Sequence, residues 1–276
     1  MSKIIFITLL LFSATFVLAQ NLPDRQAGKK ALVGGTLIDC FGGDPIKNSV
    51  ILIVGDKIIK VGQVGAVQIP KDFGIISTEG MSVLPGLWDM HMHLMINGYS
   101  DYWDKKYLPL FRSVIMPSSA KQLLMAGVTS TRDLGGPLEE SIGVRNDINS
   151  GKIDGPTMYV SGPFIQKKPY PGTEDFRWGV NGADDARAKV QKLAKAGVDC
   201  IKLIDQDQMT MEEILAVVDE AHKNKLKVVA HAHRPEEIRR GLKAGVDCFE
   251  HTGLATAPEY PDDVMAMIKN KSTGLE

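Results

Sequence analysis

The sequence predicts an α/β fold built on a parallel sheet, open or closed, and three observations carry that prediction. The phrase Ala-Gly-Val recurs at Ala126-Gly127-Val128, Ala196-Gly197-Val198 and Ala244-Gly245-Val246. Each copy follows a helical pattern and precedes an apolar run, so the glycine suits the left-handed residue just past a helix end and the valine opens a strand. Apolar runs alternate with amphipathic stretches from Leu84 onward, the order of a βαβ chain. Five of the 6 histidines close an apolar run: His91, His93, His231, His233 and His251. Strand C-termini are where such folds gather their functional groups.

The chain has 276 residues and a formal net charge of -1, which gives no reason to expect a nucleic-acid partner. Residues 1–19 differ from the rest. Lys3 precedes an apolar run from Ile4 to Ala19, and Val17-Leu18-Ala19 before Gln20 suits signal-peptidase cleavage. The run is shorter than the ~20 residues that span a bilayer comfortably. The reading is a cleaved signal peptide, hence a secreted or periplasmic protein without a stable membrane anchor. Three cysteines, Cys40, Cys200 and Cys248, are few and odd in number, and they read as buried thiols rather than a disulfide framework.

Residues 20–83 read as a small sheet domain after a polar leader. Ala31–Ile38, Val50–Val54 and Ile58–Val61 are β-rich, and Gly55-Asp56-Lys57 suits a tight hairpin. Residues 84–276 form the second part. Strands are expected at Leu84–His93, Val128–Asp133, Thr157–Ser161, Cys200–Ile204, Val228–His231 and Cys248–His251. Between them, Asp184–Ala196 carries apolar residues at helical spacing. Thr210–Lys223 opens on a capping-box pattern, Thr210 with Glu213, and Pro235 suits the first turn of a helix running to Ala244. The segments Asn97–Met116 and Gly162–Gly182 read as long loops that contact substrate or cover the surface.

His91 and His93 sit one residue apart in Pro85-Gly86-Leu87-Trp88-Asp89-Met90-His91-Met92-His93. On a strand both side chains point to one face, where they can share one ion or line a solvated surface. Lys202 is the only charge in Cys200-Ile201-Lys202-Leu203-Ile204. In a covered parallel sheet its ammonium must be neutralised, paired or modified; on an edge strand it can reach water. Addition of carbon dioxide would make it a carbamate able to bridge two cations. His222 lies late in an amphipathic helix and reads as a surface residue.

Together these stretches resemble the amidohydrolase superfamily, in its imidazolonepropionase-like and prolidase-like branch. The resemblance rests on Pro85–His93, Gly127–Gly136, Val198–Ile204, Val229–His233 and Gly245–His251, in that order and at that spacing. It implies a (β/α)8 TIM-type barrel with a small β-sandwich part, and one or two divalent metals, usually zinc. By position, His91 and His93 resemble the first-strand ligands of the deeper metal. Lys202 resembles the fourth-strand lysine, carbamylated where two metals bind, and His231 and His251 resemble the ligands of the outer metal. His233 is read as a catalytic, substrate-contacting residue or as a support for the ligands, ahead of a ligand itself. Asp89 is assigned a structural hydrogen-bonding role, and Arg132-Asp133 either lines the mouth or forms an internal ion pair.

The resemblance implies hydrolysis of C–N bonds in amides, peptides, cyclic amides or carbamates by a metal-activated water, with a small molecule or peptide as partner. A homo-oligomer is compatible with it. A catalytically inactive binding protein and a phosphotriesterase-like hydrolase are the alternatives. In the family an aspartate of the eighth strand moves the proton. At roughly 30 residues per βα unit, the stretch after Leu84 holds about six units, so strands seven and eight are expected to be absent and the barrel incomplete. Asp262 and Asp263 follow His251 too closely to fill that role. The expectation is a fragment of a longer protein, or else a truncated relative.

Overall fold

The computed structural model describes residues 28–96, 104–251, 259–271 and 274–275. The expected signal peptide lies outside the described residues. The chain divides into two compact units, Met1–Pro85 and Gly86–Glu276.

In the first unit β1 (Lys29–Val33), β3 (Ser49–Val54), β4 (Lys57–Gln63) and β5 (Gly74–Ser77) form one sheet in the order β4-β3-β1-β5. β2 (Thr36–Leu37) and β6 (Ser82–Val83) form a separate parallel pair. The β3–β4 hairpin turns at Gly55-Asp56, since Val54 pairs with Lys57 and Gly55 has φ 61°. Ala31, Val50, Leu52 and Val67 pack as its small core. Cys40 is exposed here and Cys248 is half-buried, so only Cys200 is the buried thiol expected of all three. The cause for Cys40 is its place in the turn after β2, in the left-handed region at φ 64°.

The second unit carries the parallel strands β7 (Leu87–Met92), β8 (Val128–Asp133), β9 (Thr157–Val160), β10 (Phe164–Gln166), β11 (Arg177–Gly179), β12 (Cys200–Leu203), β13 (Lys227–His231), β14 (Cys248–Glu250) and β15 (Gly274–Leu275). They hydrogen-bond in the orders β7-β8-β9 and β11-β10-β12-β13-β14-β15. The two runs join where Asp199 N donates to Val160 O at 2.8 Å, so β9 and β10 act as one strand interrupted at Ser161–Pro163. At ~4.8 Å per strand, a flat sheet would hold β7 and β14 roughly 24 Å apart. Their side chains instead meet, His91 Nδ1 lying 2.8 Å from Glu250 Oε2. The sheet is therefore curled, with helices on its outside.

Those helices are α1 (Leu108–Leu110) and α2 (Met116–Met125), then α3 (Leu138–Asn149), α4 (Ala183–Ala196), α5 (Met211–Lys223), α6 (Pro235–Ala244) and α7 (Asp262–Lys269). Gly127, Gly197 and Gly245 after α2, α4 and α6 all have positive φ, at 88°, 86° and 91°. Thr210 and Glu213 make the expected reciprocal cap on α5, and Pro235 opens α6. The main core packs α4, α5 and α6 against β12, β13 and β14 through residues such as Val190, Leu193, Ile201, Val217, Val228, Leu242 and Phe249.

Three expectations need correction. The segment 162–182 is not one long loop: it contains β10 and β11, which pair in parallel. Its strand character is short and is masked in sequence by the following Lys-Lys-Pro. The loop expected at 97–116 turns helical from Lys105; its residues 97–103 lie outside the described set. A seventh strand position is also not wholly lacking, because Gly274–Leu275 pair in parallel with Cys248–Phe249.

Candidate metal centre

His91 is delivered by β7 and His93 by the residue just beyond it. Their Nε2 atoms approach to 3.3 Å. His91 Nδ1 faces the carboxylate of Glu250 at 2.8 Å, and His93 Nδ1 faces the carbonyl of Gly135 at 3.2 Å. Both partners are acceptors, so in the neutral rings each Nδ1 carries the proton and donates. Two bare Nε2 lone pairs then face each other. At Zn–N ~2.05 Å, tetrahedral ligands stand about 3.4 Å apart, so a shared cation fits the gap. Carboxylate and carbonyl partners behind ligand imidazoles are the usual support of such a pair.

Lys202 lies in β12 between β10 and β13, which removes the edge-strand alternative. It is 1% exposed, and its Nζ has no hydrogen-bond partner among the described residues. Burial pulls its pKa down to about 8, although the Glu250 charge works the other way. An orphaned amine on an inner strand is the feature that a carbamate or a charged partner would explain.

His231 ends β13, and His251 stands just past β14 with φ 64°. The left-handed turn lets two successive residues, Glu250 and His251, both reach the interior, which regular strand alternation forbids. Rings of His231 and His251 lie 4.5 Å apart, and His91 and His251 also 4.5 Å apart. His233 is beside them, 4.3 Å from His231 and 4.4 Å from His251. Ligand atoms of His231, His233 and His251 all lie within 4.8 Å of one another. His233 thus lies close enough to His231 and His251 to share a ligand with them.

Burial first, and then neighbouring positive groups, depress three of these imidazoles, His93 to about 3, His251 to about 4 and His231 further still. They are neutral nitrogen donors at ordinary pH, the state a metal needs. His91, His93, Lys202, His231 and His251 line one cavity of ≈ 230 Å³ with Met95, Ile96, Phe164, Arg177 and Ile204. The donor set and the orphaned amine fit one or two divalent cations.

Sequence reasoning missed Glu250 and Arg177. Glu250 is 2% exposed and accepts from His91 and from Arg132 Nη2 at 2.7 Å. Burial opposes its ionisation, but His91, Lys202 and Arg132 outweigh burial and hold its pKa below the ordinary value. Arg132 pairs with Glu250 rather than with Asp133, which is buried at the end of β8 and accepts from Leu94 N at 3.4 Å. Asp89 accepts from His91 N at 3.1 Å, a structural contact. His222 pairs at the surface with Asp247 at 2.8 Å.

A second acidic group, Asp205, Asp207 and Glu237, also comes together. Arg234 occupies it, with contacts of 2.8 Å to each of the three carboxylates, so it is an ion-pair network.

The chain is similar to known hydrolases. Ochratoxinase of Aspergillus niger is 28% identical over 299 aligned residues, which cover 91% of this chain and 59% of that protein. Its crystal structure matches with a TM-score of 0.66 at 26% identity, covering 90% of this chain and 65% of that one. A Xaa-Pro dipeptidase structure with methionine in its active site matches with a TM-score of 0.74 at 25% identity, covering 90% and 66%. The chain therefore spans about 59% of the curated relative's length. The sequence profile of the amidohydrolase family matches residues 82–270, more than half of the chain, and the chain belongs to the amidohydrolase family.

Proposed function

We propose that this chain carries the metal centre of a hydrolase that cleaves C–N bonds in amide-like substrates: amides, peptides, cyclic amides or carbamates. The observation that supports the reading is the pair of bare imidazole nitrogens of His91 and His93, 3.3 Å apart, within a cavity that Lys202, His231 and His251 also line. Family membership gives the same direction, and both the ochratoxinase and the Xaa-Pro dipeptidase to which the chain is similar bear names of hydrolases.

His91 and His93 would hold one divalent cation, zinc being the first candidate, and His231 and His251 a second. When bound, such cations lower the pKa of a water and polarise a carbonyl oxygen. The rest of the work belongs to the chain. Glu250 and the Gly135 carbonyl fix the tautomers of His91 and His93, so that both lone pairs point inward. The Lys202 amine, with its pKa near 8, is partly neutral at physiological pH. Its Nζ could add to carbon dioxide: the N–C bond would form as one C=O π bond opens onto oxygen and an N–H proton leaves to solvent, giving an anionic carbamate on a residue that lines the same cavity as the histidines. His233, whose Nδ1 has no hydrogen-bond partner among the described residues, is placed to accept a proton or contact the substrate. No described residue is given the role of the eighth-strand aspartate. The apolar leader at residues 4–19 supports export to the periplasm or outside the cell.

The test is metal analysis of the purified protein together with a substrate panel of dipeptides, N-acylated amino acids, cyclic amides, carbamates and a phosphotriester. Metal-dependent release of amine is expected, and His91→Ala should lower bound metal. Unchanged metal content in that variant, or turnover of the phosphotriester alone, would count against the proposal.

A further inference from the structure

We propose that Glu237 is a positioning residue of this site: its buried carboxylate fixes the turn after β13 and so holds the His233 ring beside His231 and His251. The inference rests on the hydrolase reading above for the use of His233 and adds the residue that holds it there.

His91 and His93 are anchored through their rings, by Glu250 and by the Gly135 carbonyl. His233 is different. Its ring stands 4.3 Å from that of His231 and 4.4 Å from that of His251, yet its Nδ1 has no hydrogen-bond partner among the described residues. Its place therefore depends on its backbone. That backbone belongs to the short turn between β13, which ends at His231, and α6, which opens at Pro235.

One side chain holds the turn. Glu237 Oε2 accepts from the backbone N–H of His233 and from that of Arg234, at 2.8 Å each. Its other oxygen, Oε1, accepts from Arg234 Nη2 at 2.8 Å. The same Nη2 donates to Asp205 Oδ1 at 2.8 Å and to Asp207 Oδ1 at 2.9 Å. Glu237 is 0% exposed, and hydrogen bonds to a buried carboxylate are short and strong. A glutamate at this helix position ordinarily takes the N–H of the residue that opens the helix. Glu237 does so and reaches one residue further back, to His233. Gln206, also buried, secures the turn at His231: its Nε2 donates to the His231 carbonyl at 2.7 Å and to the Glu237 carbonyl at 3.2 Å. Gln206 follows β12, the strand of Lys202. The exits of the Lys202 and His231 strands are thus joined through Gln206, and Glu237 sets where His233 stands relative to that joint.

The alternative is that Glu237 serves only as counter-charge to Arg234, and substitution separates the two roles. Glu237→Gln keeps the length and an acceptor oxygen for both N–H groups; it loses the charge facing Arg234, which retains Asp205 and Asp207. Glu237→Asp keeps the charge and shortens the reach by one methylene, so it cannot hold the turn and Arg234 together.

The experiment uses the full, metal-free chain with isotope-labelled histidine and reads the imidazole signals by NMR. His233→Asn assigns the His233 signal, which the two neighbouring rings displace from the free-histidine position. Glu237→Asp should move that signal toward the free position and leave those of His91 and His93 in place. Glu237→Gln should retain most of the displacement. Ile238→Val, which thins the core under the same helix, should lower the melting temperature without moving the His233 signal. In the zinc-loaded chain, with an amide that the unchanged protein hydrolyses, Glu237→Asp should lower kcat by about 10–100-fold with KM within a few-fold. A His233 signal unmoved by Glu237→Asp, or moved as far by Glu237→Gln or by Ile238→Val, would overturn the positioning role, even with hydrolysis intact. A signal moved by Glu237→Asp and retained by Glu237→Gln, with no amide hydrolysed, would support the positioning and overturn the hydrolase reading.

Discussion

His91 on β7 and Glu250 on β14 meet across the interior, Nδ1 to Oε2 at 2.8 Å. The same carboxylate takes Arg132 Nη2 of β8 at 2.7 Å. One buried acid thus sets a ring's tautomer and ties the first two strand positions to the sixth. Glu250→Gln keeps the shape but offers one oxygen and one NH2, so either His91 or Arg132 faces a donor. Metal affinity should fall by about 10–100-fold, read by chelator competition. Stability of the metal-free chain should fall by about 3–5 kcal/mol, as for other broken buried pairs, read by urea unfolding. Unchanged affinity would remove Glu250 from the support of His91.

The difference between what the sequence shows and what it hides is visible at Glu250. A lone charge in an apolar strand marks Lys202 as unusual, and Cys248-Phe249-Glu250-His251 carries the same signal. Glu250 is overlooked because strand alternation points it away from His251. Only the left-handed backbone of His251, at φ 64°, brings both inward, and φ cannot be read from residue types when the residue is not glycine. The αβ joints are legible because glycine itself reports a positive φ. β10 and β11 are hidden for a different reason: each has 3 residues, too few for periodicity to register. Arg177 is hidden with them, since its place in the cavity wall depends on that pairing.

Lys202 separates stability from function. Its ammonium is buried without a hydrogen-bond partner among the described residues, a costly state. Lys202→Met keeps similar volume and removes the charge. The metal-free variant should melt at the same or a higher temperature, while the number of metals bound at saturation falls. Added bicarbonate should raise metal uptake in the unchanged protein and not in the variant. A variant with full metal content would show that the amine takes no part in the centre.

Gly135 is where backbone and cavity wall come closest. Its carbonyl faces His93, and a Cβ built there would stand 2.1 Å from Phe164 Cε1. Gly135→Ala must therefore push Phe164 away from His93 and Arg177. A loss of about 1–3 kcal/mol is expected for this overpacking, measured by thermal unfolding. KM for an amide substrate that the protein hydrolyses should rise as the wall shifts. Unaltered KM would mean that Phe164 does not shape the bound state.

Asp133 gives a pH dependence whose sign can be derived. The residue is 0% exposed, and burial pushes its pKa up from 3.8 to about 7, against the weaker pull of the Leu94 N–H. Below about pH 4 both folded and unfolded chains hold the proton, and this group adds no slope. Between about pH 4 and 7 the folded chain keeps a proton that the unfolded chain has released. The unfolded state then binds fewer protons, so stability falls as pH rises, and it levels off above 7. At ~1.4 kcal/mol per pKa unit, the whole fall is on the order of 4 kcal/mol. Asp133→Asn cannot ionise and should lose this slope. Urea unfolding of the metal-free chain at pH 5, 6, 7 and 8 should show the variant gaining on the unchanged protein across that range. A difference independent of pH would mean that Asp133 is already ionised in the folded state, and that its environment is more polar than its burial implies.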